Sequence, residues 1–232
     1  MAGAGSQGHA QAGAGLRFGQ GRFDGAAQLQ HTRQRGFSAT NPNVPFGSYN
    51  DDNDGFRQNS ATRFTQFTLG GNYLVGHTTD LRVRFSYTDA PKAQNPGALT
   101  RAEVLANPDS AGANNLLRKA DKDVSQGQLA LTGTHYTSRG RIDVAVFGLL
   151  RYLDNPLATP PPQGTGADVG TYVAIDRQVY GIRLATEQRL GQSERAPRVT
   201  AGIDLQRMRD NRENWRAVAG VRDTLFIDCI SP

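Results

Sequence analysis

Lysine is scarce in this sequence, although the chain carries a formal net charge of +5. Only Lys92, Lys119 and Lys122 are lysines among the 26 basic side chains, and the arginines are spaced singly along the chain. Proteins that bind nucleic acid usually concentrate their cations in one dense tract or stripe. Because no such tract is present, we expect no nucleic-acid partner.

Cysteine and long apolar runs are also scarce. The single cysteine, Cys229, excludes a disulfide framework within the chain and a cysteine-based zinc site. The longest apolar run, from Val144 to Leu150, is far shorter than the roughly 18–20 residues of a membrane-spanning helix. A helical membrane protein is therefore excluded. No apolar segment with a positive flank follows Met1, so the sequence as given shows no signal peptide.

Alternation of apolar and polar residues is the dominant pattern that is present. In the segment from Leu81 to Thr88, every odd position is apolar or aromatic and every even position is polar. This period of two predicts a half-buried β-strand. The same pattern recurs in segments 23–30, 65–75, 126–136, 141–150, 179–190 and 198–208. Many of these segments reach the roughly 9–11 residues that a tilted strand needs to cross a membrane.

The connections between these segments alternate in length. Short turns marked by glycine are predicted at 19–21, 76–79, 138–140 and about 191–197. Long polar stretches lie between them at about His31 to Thr62, Asp89 to Asp123 and Asp154 to Gly170. Strict alternation of short and long connections is typical of outer-membrane barrels, whose periplasmic turns are short and whose extracellular loops are long. We therefore predict an all-β antiparallel meander of long amphipathic strands, part of a transmembrane β-barrel.

One helix is predicted inside a long loop. Thr100 and Glu103 have the spacing of a capping box, and Asn107 followed by Pro108 ends the segment. About two helical turns over Arg101 to Ala106 are expected. The segment Pro160–Pro162 and the glycines after it predict a surface connection.

Residues with catalytic or metal-binding chemistry do not form a recognisable site. The histidines His9, His31, His77 and His135 occur singly, without metal-ligand spacing. An acidic cluster lies in the first long loop, at Asp51, Asp52 and Asp54. Because the full calcium-loop pattern is missing, we interpret this cluster as a solvated loop. No nucleophile elbow, phosphate loop or zinc-protease motif occurs, and we expect no catalytic residue, cofactor or metal.

Charged residues lie on the polar face of the predicted strands. A barrel would point them at a wet lumen, since an arginine at the lipid midplane costs about 2–4 kcal/mol. Opposite charges on neighbouring strands could pair along the lumen wall, and attraction of an anionic ligand is a secondary possibility. These residues are Arg82, Arg84, Arg141, Asp143, Arg183, Arg198 and Asp204.

Particular segments resemble the barrel of TonB-dependent outer-membrane receptors of the ferric-siderophore type. The likeness is strongest from Gly55 to Thr100, through Phe67–Tyr73, Leu81–Pro91 and Ala93–Thr100. Gly21–Gly25 and Asp54–Ser60 are similar to the family's first barrel hairpins. The resemblance runs over most of the chain, from about Gly5 to Asp228.

The resemblance implies an outer-membrane location, lipid contact and uptake of ferric siderophores or similar nutrients with energy delivered through TonB. The sequence departs from the family because the plug and the TonB-contacting segment are absent and only about eight strands can be counted. The four residues Cys229–Pro232 also lack the family's terminal aromatic strand. We expect residues 1–228 to form a partial barrel and residues 229–232 an atypical tail. The chain is then a receptor fragment, starting one strand into the barrel and unlikely to transport alone.

Two alternatives remain. The first is a complete eight-stranded outer-membrane barrel with a structural or adhesion role, because eight strands suffice to close a barrel. The second is a soluble all-β carbohydrate-active enzyme, for which Asp143 and Asp204 are the candidate carboxylate pair. The long loops are expected to be extracellular, but the ligand-contacting residues are unknown from sequence.

Overall fold

A computed structural model describes residues 2–4, 8–36, 57–160, 164–193 and 195–231, with side chains described as far as residue 225. The described residues form one sheet of ten strands whose spatial order follows the sequence. Every neighbouring pair is antiparallel. The all-β antiparallel meander predicted from the sequence is therefore confirmed.

The elements follow one another along the chain with two short helices between the fifth and sixth strands. Neither helix is long and apolar enough to span a membrane. The bounds are β1 Ala2–Ala4, β2 Ala10–Gln20, β3 Phe23–Gln34, β4 Thr62–Val75, β5 Thr79–Ala93, α1 Arg101–Ala106, α2 Ala113–Leu117, β6 Asp123–Tyr136, β7 Gly140–Leu157, β8 Val169–Arg189, β9 Arg198–Val218 and β10 Val221–Ser231.

The sequence pattern indicates about eight strands, whereas the described sheet has ten. Ten strands form because the short β1 and the terminal β10 were not recognised. The backbone of β10 continues through Ser231, so residues 229–231 extend the sheet rather than forming a separate tail. Two register irregularities interrupt β10, between Arg222 and Thr224 and between Leu225 and Ile227. A bulged strand shows no clean period of two, which explains why the sequence pattern missed it.

The alternation of connections holds only in part. Strands β2 to β7 are joined alternately by short turns and by long connections, as predicted. The last connection breaks the rule, because Ala219 and Gly220 alone join β9 to β10 at the end of the sheet where the long loops lie. Both residues have positive φ, 49° and 79°, as the two central residues of a type I′ hairpin turn require. We call the two ends of the strands, according to the connections found there, the long-loop end and the short-turn end.

The ladder places polar and apolar side chains on opposite faces. One face carries an apolar band, which on β4 runs from Phe67 to Val75 and on β7 from Ile142 to Leu150. Leu131, Val146 and Leu205 in this band are 51%, 49% and 62% exposed. A band this extended and exposed is typical of a surface that contacts lipid or another protein. We call this the apolar face and its opposite the polar face.

The buried residues lie elsewhere, at the long-loop end. Ala111 and Ala120 in the loop between β5 and β6 are buried, together with Val169, Val173 and Ala217 on β8 and β9. The sheet therefore has no core between two layers. Its only compact packing, among the described residues, occurs where the loops fold against the strand ends.

Two stretches of sheet edge have no partner among the described residues. Beyond its residues near β1, the outer edge of β2 has no strand partner among the described residues from Ala14 to Gln20. On the other side, β10 covers β9 only from Asp210 to Val218, which leaves the outer edge unpaired from Arg198 to Arg209. The described sheet is thus open at both sides near the short-turn end.

Candidate functional site

The polar face is the first candidate surface, because the charged residues singled out from the sequence all lie on it. Arg82 and Arg84 of β5 lie on this face. The cross-strand register through β6 places the other charged residues, on β7, β8 and β9, on the same side of the sheet. The same face carries residues outside the expected set. These are Arg17, Asp24, Asp80, Arg151, Arg177, Glu187, Arg189 and Asp210.

Ion pairs connect neighbouring strands along the polar face, as the sequence predicted. Arg177 donates to both carboxylate oxygens of Asp210 at 2.7 and 2.5 Å, and Arg183 donates to Asp204. Arg198 pairs with Glu187 at 2.8 Å, and Arg141 lies 3.8 Å from Glu187 while it pairs with Asp143 of its own strand at 3.2 Å. Exposed pairs of this kind contribute about 0.2–1 kcal/mol each. Their main consequence is that most of the arginine charge on β7 to β9 is neutralised locally.

An apolar depression of about 570 Å³ interrupts the polar face near its centre. Phe147, Leu149 and Val179 supply its apolar wall, and Gln28, Thr68, Ser86 and Gln128 surround it. The volume falls in the range of small-molecule sites, about 300–1,000 Å³. The sequence did carry a signal for it, because the run from Val144 to Leu150 places apolar residues on both faces of β7.

The long-loop end is the second candidate surface. The capping box predicted for α1 is present: the Glu103 amide donates to Thr100 Oγ1 at 3.3 Å, and Glu103 Oε2 accepts from the Thr100 amide at 2.6 Å. These hydrogen bonds hold the pKa of Glu103 below its usual range. The second helix, α2, was not predicted from the sequence.

Hydrogen bonds tie the loop around these helices to its neighbours. Arg57 donates to the Gly97 and Ser110 carbonyls at 2.6 and 3.2 Å, and Asn59 donates to the Asn95 and Ala120 carbonyls at 2.8 and 2.9 Å. The buried Arg118 donates to the Ala158 carbonyl. The loop from β5 to β6 is therefore an ordered cap that is fastened to both flanking connections.

An aromatic and acidic cluster surrounds Arg222 at the same end, beyond the apolar band. The Arg222 guanidinium lies 4.7 Å from the centre of the Tyr172 ring and 5.9 Å from that of Trp215. It also pairs with Asp154 and donates to Tyr152 Oη at 3.0 Å. Burial, followed by the nearby charge of Asp154, raises the pKa of Tyr172. The cluster joins β10 to β7 across two intervening strands, and no sequence pattern indicates it because β10 lacks a clean period of two.

The histidines are separate from one another. His31 hydrogen-bonds Thr65 Oγ1 at 2.9 Å, and His135 hydrogen-bonds Thr79 Oγ1 at 2.8 Å, each with its direct cross-strand neighbour. No group of three metal-ligating side chains occurs within the described ranges. The acidic cluster at Asp51, Asp52 and Asp54 lies outside the described residues, as do Pro161 and Pro162.

The carboxylates considered for a hydrolase are far apart. Asp143 and Asp204 share the polar face, but β8 lies between their strands and they are two ladder rows apart. Strand spacing and rise place their Cα atoms roughly 12 Å from each other. Glycosidase carboxylates are about 5–9.5 Å apart. Each is also engaged by an arginine, Asp143 by Arg141 and Asp204 by Arg183. This geometry gives the hydrolase alternative no support.

Comparison with known proteins yields a structural likeness only. No protein-family model and no curated protein sequence matches this chain. A crystal structure of the ferric citrate transporter FecA in its unliganded form superimposes with a TM-score of 0.70 and 16% sequence identity. The alignment covers 97% of this chain and 30% of the transporter chain, so this chain spans less than a third of the transporter's length. The sheet therefore has the fold of part of this transporter's barrel.

Proposed function

We propose that this chain is a wall segment of a TonB-dependent outer-membrane receptor, a class that takes up ferric siderophores or similar nutrients. The observation that carries the proposal is the likeness of almost the whole chain to a small part of one transporter barrel. The segment supplies strands of the wall.

The apolar face supports a location in the outer membrane. Its band covers nine residues on β4, Phe67 to Val75, and nine on β7, Ile142 to Leu150. Transmembrane strands use about 9–11 residues and point a band about 25 Å tall at lipid. Outer-membrane lipid is therefore the expected partner of this face, and the polar face lines the lumen.

The long-loop end corresponds to the extracellular side in this proposal. Extracellular loops are longer than periplasmic turns in such barrels, and binding residues concentrate on loops held by a rigid scaffold. The ordered cap around α1 and α2 fits that role because it is fixed by hydrogen bonds to both neighbouring connections. In a complete receptor this cap would contribute to capture of the ferric ligand.

The unpaired sheet edges support the proposal that the segment does not transport alone. Among the described residues, about half of the backbone groups along Ala14 to Gln20 and along Arg198 to Arg209 point away from the sheet without a strand partner. Each unpaired backbone group costs several kcal/mol in the hydrocarbon core of a bilayer. Stable insertion therefore requires further strands at both edges, and the rest of a receptor barrel would provide them.

Cross-linking tests whether the edges meet. Cys229 is first replaced by serine, and cysteines are then introduced at Leu16 and Leu205, one on each free edge. A matched control pair is placed at Leu184 and Ile203, which are direct cross-strand partners. After refolding in detergent, we expect oxidation to join the control pair within one chain but not the edge pair.

The opposite outcome favours the alternative. An intramolecular disulfide between the two edges, together with heat-modifiable migration on a gel, would show a small closed barrel with a structural or adhesion role. Sequencing the flanking DNA in all three frames provides an independent test. Absence of plug-like and barrel-like coding on both sides would contradict the fragment hypothesis.

A further inference from the structure

Two arginines flank a shallow uncharged floor on the polar face, toward the short-turn ends of β2 to β5. Cross-strand register aligns Arg17, Ala26, Gly70 and Arg84 in one row across four adjacent strands. All four side chains point to the same face, because directly paired residues of antiparallel strands share a face. The two arginines thus stand at either side of two very small residues.

The neighbouring row neutralises the other charges near this floor. Asn72 Nδ2 donates to Asp24 Oδ1 at 2.7 Å, and Arg82 Nε donates to Asn72 Oδ1 at 2.9 Å. This chain of hydrogen bonds connects the one carboxylate of the group to Arg82 through an amide. Arg17 and Arg84 have no hydrogen-bond or ion-pair partner among the residues that the structure describes.

The two rows enclose one pocket of about 360 Å³, lined by all three arginines, Asp24 and the small residues. Three guanidinium groups against one carboxylate give it a formal surplus of two positive charges. A Cβ atom added at Gly70 would meet only the Val83 carbonyl oxygen, at 3.9 Å, so the floor is open. The paired arginines of β8 and β9 have no comparable arrangement, because Asp210 and Asp204 engage Arg177 and Arg183.

We propose that Arg17 and Arg84 form a binding site for a multivalent tetrahedral oxyanion, such as phosphate, over the floor of Ala26 and Gly70. A guanidinium presents its donors in a planar fork that matches two oxygens of such an anion. The surplus charge favours a divalent or trivalent ligand over chloride. This inference goes beyond the role proposed above, since it requires only the polar face of the sheet.

Calorimetric titration with inorganic phosphate tests the site on the whole chain refolded in a maltoside detergent. Ionic strength is held constant with sodium chloride, and sulfate serves as the second probe. We expect saturable binding, at least about tenfold weaker in each of Arg17→Ala and Arg84→Ala. The matched control, Arg183→Gln, removes a paired arginine from the same face and should bind as the unmodified protein does.

A steric variant separates a built site from general attraction to a basic face. Gly70→Leu retains every charge but fills the floor, and we expect the same loss of binding of at least about tenfold. If that variant does not fold by circular dichroism, Ala26→Leu replaces it. In the unmodified protein, the ¹⁵Nε resonances of Arg17 and Arg84 should shift on addition of phosphate.

Three outcomes would overturn the proposal. The first is that phosphate shows no saturable binding. The second is that Gly70→Leu binds phosphate as the unmodified protein does, while Arg183→Gln loses as much affinity as Arg17→Ala and Arg84→Ala. The third is that the phosphate-induced ¹⁵Nε shifts of Arg17 and Arg84 are no larger than that of Arg183. None of these outcomes bears on whether the chain is a receptor segment, because the cross-linking test does not involve this pocket.

Discussion

The assignment of one face to lipid and the other to the lumen is testable with two arginine substitutions on β6. Leu131 lies on the apolar face in the central row of the band, directly between Val83 and Val146. Gln128, three residues away on the same strand, lies on the polar face between the uncharged Ser86 and Leu149. Both sites are far from the strand ends, so the two variants differ mainly in the medium that receives the new charge.

The expected magnitude follows from the position in the band. Leu131 is 51% exposed. Its row of paired residues includes Gly71 on β4 and Val146 on β7, which are the middle residues of the band on those strands. An arginine on the lipid face near the midplane costs about 2–4 kcal/mol. Leu131→Arg should therefore lower the folding equilibrium constant about thirty-fold to several-hundred-fold, since every 1.4 kcal/mol is about tenfold. Gln128→Arg should change it by less than about threefold, because the lumen is wet.

Denaturant unfolding of the chain refolded in detergent micelles, whose apolar interior stands in for lipid, measures the difference. Trp215 is the single tryptophan of the chain, and it lies partly buried beside Arg222. Its fluorescence emission therefore reports unfolding at the long-loop end. Equal destabilisation by the two variants, or a greater effect of Gln128→Arg, would refute the assignment of the faces.

Three further predictions concern contacts at defined positions. Arg222→Ala should destabilise the docking of β10 by about 1–3 kcal/mol, with a red shift of Trp215 emission, whereas Arg222→Lys should retain part of the interaction; unchanged emission would contradict this. The lowered pKa of Glu103 should stabilise α1 at neutral pH. This stabilisation should be lost as the pH falls from about 4.3 through the lower pKa of the folded state. Amide hydrogen exchange of α1 measures the loss, and Glu103→Gln should show no such pH dependence. Gly181→Ala should destabilise the sheet because its Cβ would overlap the Phe147 ring, and Phe147→Ala should relieve the effect in a double-mutant cycle; additive losses would disprove the clash.

The strands and their faces were predictable because they depend on local pattern. Side chains alternate along any strand, so Leu81, Val83 and Phe85 had to lie opposite Arg82 and Arg84 whatever their neighbours were. The α1 capping box was equally local, since its two partners are three residues apart. The ion pairs on the polar face followed from placing opposite charges on adjacent strands.

The missed elements depend on contacts between residues distant in sequence. Strand β10 forms because its backbone pairs with β9 despite two register irregularities, which hide its period from the sequence. Arg222 then reaches Asp154, 68 residues earlier in the chain, and no local pattern indicates that contact. The same holds for α2, which lies in a cap fastened by Asn59 of the preceding connection and by the hydrogen bond from Arg118 to the Ala158 carbonyl of the next one.

The sequence by itself determined that this is an all-β chain with one polar and one apolar face, because a period of two leaves no other arrangement of its side chains. Only the tertiary structure decided which residues on the polar face meet. It paired Arg177 and Arg183 with carboxylates, and it placed Arg17 and Arg84 on either side of Ala26 and Gly70. Cross-strand register fixes these neighbours, and register depends on how the whole sheet aligns rather than on any one strand.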